Sequence, residues 1–144
     1  MTGGAPVALT TNGGLRGLES PDGKSLLFTK PSTAGLWTRD FSTGQQRLLV
    51  EAVQAGDWTN WAVGLERVFF VDRDTSGVQR LVMVPFASGR SRVLASNVAV
   101  PLGTGGIAVS HDDRTIVFSQ LDRREGSLYR LRVGEFPANH VANP

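Results

Sequence analysis

Short apolar runs, separated by polar turn signals, divide the chain into segments of strand length. Three of these runs are apolar at consecutive positions and do not alternate: Leu26–Phe28, Val68–Val71 and Ile116–Phe118. A strand with one face in water alternates apolar and polar residues, whereas a strand covered on both faces does not. No segment shows a convincing helical period. The pattern therefore predicts an all-β protein whose middle strands are buried on both sides.

The runs belong to a longer internal repeat. Residues 40–49 align with residues 85–94, an offset of 85 − 40 = 45, and share Phe, Gly, Arg and the final Leu. Residues 20–28 resemble residues 110–118, an offset of 110 − 20 = 90. A repeat of this length that carries four short strands is typical of a β-propeller blade. A β-sandwich is the alternative, but it does not require the repeat.

The repeat predicts a β-propeller fragment of about three four-stranded antiparallel blades within residues 1–136, followed by a tail at 137–144. Blade 1 spans about 15–50, blade 2 about 60–96 and blade 3 about 105–133. The predicted strands are 16–19, 25–29, 35–40 and 46–50 in blade 1, 61–64, 67–72, 80–85 and 91–95 in blade 2, and 106–110, 115–120 and 127–133 in blade 3.

Blade 3 has three predicted strands, and the chain begins with a copy of the missing fourth one. Gly4 matches Gly44 and Leu9 matches Leu49, so residues 7–9 are predicted to complete blade 3. Three blades are too few to close a ring, since four to eight are typical. We therefore expect two chains to form a six-bladed ring, each lending residues 7–9 to the other. The alternatives are that the chain belongs to a longer propeller or is a truncated product.

Charge and composition exclude several functions. The 15 basic residues exceed the 13 acidic ones by only two, and no basic run is interleaved with aromatic residues, so direct nucleic-acid binding is not expected. There is no cysteine, hence no disulfide, thiolate metal site or cysteine nucleophile. No apolar stretch reaches the ~20 residues of a membrane helix. Residues 1–14 lack the features of a signal peptide, so the chain as written is expected in the cytoplasm.

Few residues could carry chemistry, and we expect no enzyme activity, cofactor or metal. Asp22 lies in a Ser-Pro-Asp-Gly turn, where its carboxylate can accept backbone N–H groups, and Asp113 is expected to do the same in blade 3. His111 and His140 are the only histidines. His111 takes the proline position of a surface turn, so a solvated side chain is expected. Neither a serine triad nor a zinc site is indicated.

Aromatic residues before the first strand of blade 2 are the one candidate for partner binding. Trp58 and Trp61 flank Asn60, and aromatic side chains at a propeller rim or channel mouth can form binding sites. Packing between blades is the alternative interpretation of these residues. Trp37, by its place in the repeat, is expected in the core.

The motifs resemble those of a known propeller family. The Ser20–Lys24 turn, the apolar run after it, Gly35–Trp37 and Thr43–Gly44 resemble a TolB-type repeat, related to WD-repeat propellers. More specifically, they are similar to the C-terminal propeller of bacterial winged-helix transcriptional regulators. The chain has no winged-helix domain, so DNA binding is not carried over.

The resemblance implies a non-catalytic interaction or ligand-sensing module, with an extracytoplasmic location if it belongs to a membrane-anchored sensor or a TolB-type protein. Two alternatives stay open: the accessory propeller of a hydrolase whose catalytic domain is absent, and an envelope scaffold of TolB type.

Overall fold

The computed structural model describes residues 4–103, 106–122 and 125–133; the predicted tail at 137–144 and His140 lie outside them. A short 3-10 helix, Ala55–Asp57, precedes the fifth strand, and within the described residues no helix is long and apolar enough to cross a bilayer. The strands are β1 (Gly17–Glu19), β2 (Ser25–Lys30), β3 (Thr33–Asp40), β4 (Gln46–Val50), β5 (Trp61–Val63), β6 (Arg67–Arg73), β7 (Gln79–Pro85), β8 (Arg92–Val98), β9 (Ile107–Val109), β10 (Thr115–Asp122) and β11 (Glu125–Arg132).

These strands form three antiparallel sheets in chain order. Blade 1 is β1-β2-β3-β4, blade 2 is β5-β6-β7-β8, and blade 3 is β9-β10-β11. Each strand pairs with its neighbour in sequence, as in the blades of a propeller. The predicted all-β fold, with about three blades, is confirmed.

Blade 2 is the middle layer of the stack, and both of its faces are buried. Val68 and Phe70 pack into one apolar cluster with residues of blade 1. Phe69 and Val71, which point the other way, pack into a second cluster with residues of blade 3. All four are at most 1% exposed. Burial on both faces explains the unbroken apolar run, and two separate cores replace the single core that a sandwich would have.

The same hydroxyl–carboxylate turn connects the first two strands in blades 1 and 3. In blade 1 the Ser20 hydroxyl donates to Asp22 Oδ1 at 2.6 Å, and the Lys24 amide donates to the same oxygen at 3.1 Å. In blade 3 Asp112 accepts the corresponding bonds from the Ser110 hydroxyl and the amide after Asp113. These bonds, the serine hydroxyl first, lower the pKa of Asp22 and of Asp112.

Asp113 has a different role from the one expected from the sequence. Asp113 is at the position equivalent to Gly23: its φ is 58°, and that of Gly23 is 69°. Asp112 is at the position equivalent to Asp22 and accepts the same turn bonds. The prediction that Asp113 shapes its own turn through its carboxylate is therefore wrong. Its carboxylate is buried and accepts the amides of Leu65 at 2.7 Å and Glu66 at 3.0 Å.

This contact joins two blades because Leu65 and Glu66 form the tight turn between β5 and β6. In blade 1 the Asp22 carboxylate accepts an amide of its own turn. In the β5–β6 turn of blade 2, the Asp113 carboxylate of blade 3 accepts the amides instead. Gly64 leaves the necessary room, since a Cβ there would overlap the Asp113 carboxylate. His111, in the same blade 3 turn, is exposed as expected.

A second type of turn, after β3, also holds a perturbed carboxylate. Asp40 accepts the Ser42 hydroxyl at 2.6 Å and the Thr43 amide at 2.8 Å. The Ser42 hydroxyl first, then the Thr43 amide and hydroxyl, lower the pKa of Asp40 to about 2. The carboxylate is exposed, so these bonds order the turn more than they stabilise the core.

Candidate functional site

The residues predicted to bind a partner lie largely inside the protein. Trp61 is fully buried, and its indole N–H donates to the Trp58 carbonyl at 2.8 Å. Asn60 is also fully buried, and its amide group donates to Asp57 Oδ1 at 2.8 Å and to the Pro101 carbonyl at 2.9 Å. Of the three residues, Trp58 alone is partly exposed. In the single chain Asn60 and Trp61 pack inside the protein, and partner binding at Trp58, Asn60 and Trp61 stays a prediction.

An ion pair beside Asn60 was missed by the sequence analysis. The Asp57 carboxylate is fully buried and receives two bonds from Arg73, at 2.9 Å from Nε and 3.1 Å from Nη2. A buried carboxylate needs such a partner because desolvation otherwise disfavours its charge. Both of its oxygens are engaged, so this cluster of Asp57, Asn60 and Arg73 is suited to holding the start of blade 2 in place. Only the tight spacing of Asp57 and Asn60 before a strand could have indicated it.

Blade 1 also contributes to this region. The Arg16 guanidinium donates to the Thr59 carbonyl and lies 5.3 Å from the centre of the Trp61 ring, a cation–π contact. Partial burial lowers the pKa of Arg16. Within the described residues, no group of three His, Asp or Glu side chains could hold a metal ion.

The outer end of the stack offers a more open surface. We call the face of a blade toward the following blade its back face, and the face toward the preceding blade its front face. The strand registers identify equivalent back-face positions in all three blades: Leu27, Thr29, Leu36 and Thr38 in blade 1, Phe69, Val71, Leu81 and Met83 in blade 2, and Val117, Ser119, Leu128 and Arg130 in blade 3.

These positions are buried where a blade follows and open where none does. The four are at most 7% exposed in blade 1 and at most 2% exposed in blade 2. In blade 3, Leu128 is 80% exposed, Val117 is 38% exposed, and Arg130 is exposed. A shallow hollow of about 380 Å³ runs over this surface and is lined by Val117, Ser119 and Leu128 together with Ala108. The back face of blade 3 is thus an apolar surface bordered by basic residues, Arg130 and Arg132 of β11 and Arg16 at the hollow.

Among the described residues, the edge of blade 3 is open as well. β11 is the outermost strand of its sheet, in the position where β3 and β7 carry a fourth strand beside them. Residues 7–9, predicted to complete the sheet, form no strand in this single chain, and Val7 is 79% exposed. An edge strand presents unpaired N–H and C=O groups that can accept another strand. We call the back face of blade 3 together with the free edge of β11 the open end.

No blade precedes blade 1 among the described residues, yet the aromatic residues on its front face are largely covered within the chain. Phe28 and Trp37 lie on this face, in the places that Phe118 and Tyr129 hold in blade 3. The Lys30 ammonium covers them, 3.5 Å from the centre of the Trp37 ring and 5.8 Å from that of Phe28. Phe28 is therefore only 1% exposed although no blade precedes it in the described chain.

A larger cleft, of about 750 Å³, lies along the last two strands of blade 2. Its walls include Met83 and Pro85 of β7, Phe86, and the basic residues Arg90 and Arg92. Met83 is on the back face, so the cleft is on the side that blade 3 covers. Blade 3 has no fourth strand among the described residues to extend over this outer part of blade 2.

The fold is that of part of a β-propeller, and solved structures with a similar fold include TolB-like propeller proteins. No protein-family model matches the chain, and no curated protein matches its sequence. Among solved structures, TolB from Acinetobacter baumannii superposes with a TM-score of 0.64 at 13% identity, over 85% of this chain and 30% of that one. An oligogalacturonate lyase from Vibrio parahaemolyticus gives 0.61 at 16% identity, over 78% and 35%. The tricorn protease gives 0.54 at 10% identity, over 81% and 12%.

At these identities the likeness concerns the fold alone. The chain spans about a third or less of each of these proteins. The structural neighbours are thus TolB-like propeller proteins, whereas the expected link to winged-helix transcriptional regulators stays a prediction.

Proposed function

We propose that the chain is a non-catalytic interaction module, a three-blade section of a propeller that binds its partner through the open end. The observation that supports this most is the exposure of Leu128 and Val117, at positions that are core in the other two blades. Contiguous exposed apolar surface on a folded chain marks a contact site. Burying one leucine side chain contributes ~1.5–3 kcal/mol, so a partner that covers this face gains substantially.

The test is a charge placed in the middle of the open end. We expect the chain to associate as its concentration rises in sedimentation velocity, and Leu128→Asp to abolish that association. Val93→Asp is the matched control because Val93 is an exposed apolar residue, 46% accessible, on the outer strand of blade 2. Association should survive this control. A chain that stays monomeric and binds no apolar dye would contradict the proposal.

The more specific function, a ligand sensor derived from a TolB-like regulatory domain, is supported by the Ser20–Lys24 and Gly35–Trp37 motifs. The cleft beside β7 and β8 would be its ligand site, and Arg90 and Arg92 there favour an anionic ligand. The reading frame upstream of Met1 tests this origin. A winged-helix domain encoded there would support it, whereas a hydrolase domain would contradict it.

The alternative of an accessory propeller for a hydrolase has one observation in its favour. Two of the similar structures are, by name, a lyase and a protease, so this fold does occur in enzymes. The fold alone does not decide between these functions. The envelope scaffold would be favoured by a signal sequence upstream of Met1.

A further inference from the structure

We infer that the partner at the open end is a second copy of this chain, an inference that rests on the proposed interaction function. Residues 7–10 of one copy add to β11 of the other as its fourth strand, and blade 1 of the first copy covers the back face of the other's blade 3. Two such contacts join two three-blade chains into a six-bladed ring, within the usual range for propellers.

The first argument is the unused strand. The repeat assigns residues 7–9 to the fourth strand of a blade, but blade 1 already has β4 in that position. Residues 7–9 precede blade 1, whereas the vacant edge belongs to blade 3, with blade 2 between them. In the single chain the segment is accordingly unpaired, with Val7 79% and Leu9 41% exposed. A second copy has the required segment and the edge that it fits.

The second argument is the register that the repeat imposes. In blade 1, Leu36 of β3 pairs with Val50 of β4. Leu128 holds the place of Leu36 in β11, and Thr10 holds the place of Val50 in the repeat. Thr10 of one copy should therefore lie opposite Leu128 of the other. Opposed residues of antiparallel strands have Cα atoms about 4.5–5.5 Å apart, which is within the range of a disulfide.

The third argument is continuity with the interface between blades 2 and 3. On its blade 3 side, that interface contains Phe118 and Tyr129. The front face of blade 1 has Phe28 and Trp37 in the same two places. Blade 1 thus carries the aromatic pair with which a blade packs against the one before it. The added fourth strand would also extend over the outer part of blade 2, beside the cleft at Met83.

The fourth argument is charge. Glu19, exposed on the front face of blade 1, holds the place of Val109, and Arg130 holds the place of Met83. Val109 packs against the cluster that contains Met83. In the contact between two copies Glu19 and Arg130 therefore border the same layer of side chains between the two blades. Two basic residues on the front face of blade 1 interact within that blade: Lys30 lies over Trp37, and Arg39 donates to the Gly44 carbonyl at 3.3 Å.

Engineered cysteines test the strand exchange in a chain that has none of its own. Thr10→Cys combined with Leu128→Cys should give a covalent dimer under mild oxidation. No covalent dimer should form with either single variant, or with Thr10→Cys combined with Val93→Cys. A disulfide within one chain would overturn the inference because residues 7–10 would then fold back onto their own blade 3.

Charge reversal tests the facing of the two blades. We expect Glu19→Arg and Arg130→Glu each to raise the dimer Kd at least about tenfold, and the double variant to restore it, because like charges across an interface repel. Arg47→Glu is the control and should leave the Kd unchanged, because Arg47 is exposed on β4 and pairs with Thr38, on the face of blade 1 that points away from this contact. Association without the disulfide and without this rescue would overturn the six-bladed ring, whereas a monomeric parent chain that binds an apolar dye would overturn the second-copy inference and leave the open end as an interaction surface. A monomeric parent chain that binds no apolar dye would overturn both.

Discussion

The Asp113 carboxylate gives the most direct measure of what joins two blades. Asp113→Gly removes the acceptor of the Leu65 and Glu66 amides while glycine adopts the positive φ without strain. Leaving such donors unpaired costs ~1–3 kcal/mol each when they are buried. Leu65 is 49% exposed, so water can replace part of the loss. We therefore expect a free energy of unfolding lower by about 2 kcal/mol.

Asp113→Ala should lower the free energy of unfolding by about 1 kcal/mol more than Asp113→Gly does, because alanine is strained in the left-handed region. Urea denaturation measures both changes, and a loss of about 2 kcal/mol corresponds to a Tm lower by roughly 6 °C for a chain of this length. Asp112→Asn is the control, since Asp112 bonds only within its own exposed turn. A change of less than ~0.5 kcal/mol for Asp113→Gly, the range of ordinary surface substitutions, would refute the reasoning.

Three further predictions follow from the buried and turn carboxylates. Gly64→Ala should break the same contact, so in urea denaturation the double variant with Asp113→Gly should lose less than the sum of the singles. Arg73→Met leaves the buried Asp57 charge without its partner and should lower the free energy of unfolding by about 3 kcal/mol in the same assay. Adding Asp57→Asn should recover part of that loss. A loss below ~1 kcal/mol would contradict this prediction. By NMR, the Asp40 carboxylate should titrate with a pKa of about 2. Because this pKa is lowered in the folded state, the stabilising effect of the ionised carboxylate should fade as the pH falls from about 4 to about 2. A urea midpoint as sensitive to this pH change in Asp40→Asn as in the parent would argue against that effect.

The strands were predictable because burial on both faces leaves a trace in the sequence. Val68–Val71 has no polar position, and the middle sheet indeed places alternate residues of this run in two different cores. The repeat located the blades because the turns after β3 and β7 recur at an offset of 45 and the turns before β2 and β10 recur at an offset of 90. Pairing between neighbours in the chain then determined the order of strands within each sheet.

Contacts between blades were not predictable because they join residues that are distant in sequence. Asp113 is 48 positions from Leu65, and nothing in its own turn indicates that its carboxylate bonds there, although the offset of 90 does place Asp112 at the position of Asp22. The prediction failed by pairing it with Asp22, whereas the backbone places it at the glycine position. Asn60 is polar and next to tryptophan, as binding residues often are, yet it is used to hold the Pro101 carbonyl.

Amide hydrogen exchange followed by mass spectrometry tests the central claim, that blade 2 is enclosed while blade 3 is open. The measurement is best made on the Glu19→Arg chain, in which association is weakened. We predict the slowest exchange in β6 and β7, which are hydrogen-bonded on both sides and covered on both faces, and much faster exchange in β11. Exchange in β11 as slow as in β7, or rapid exchange in β6, would contradict the account.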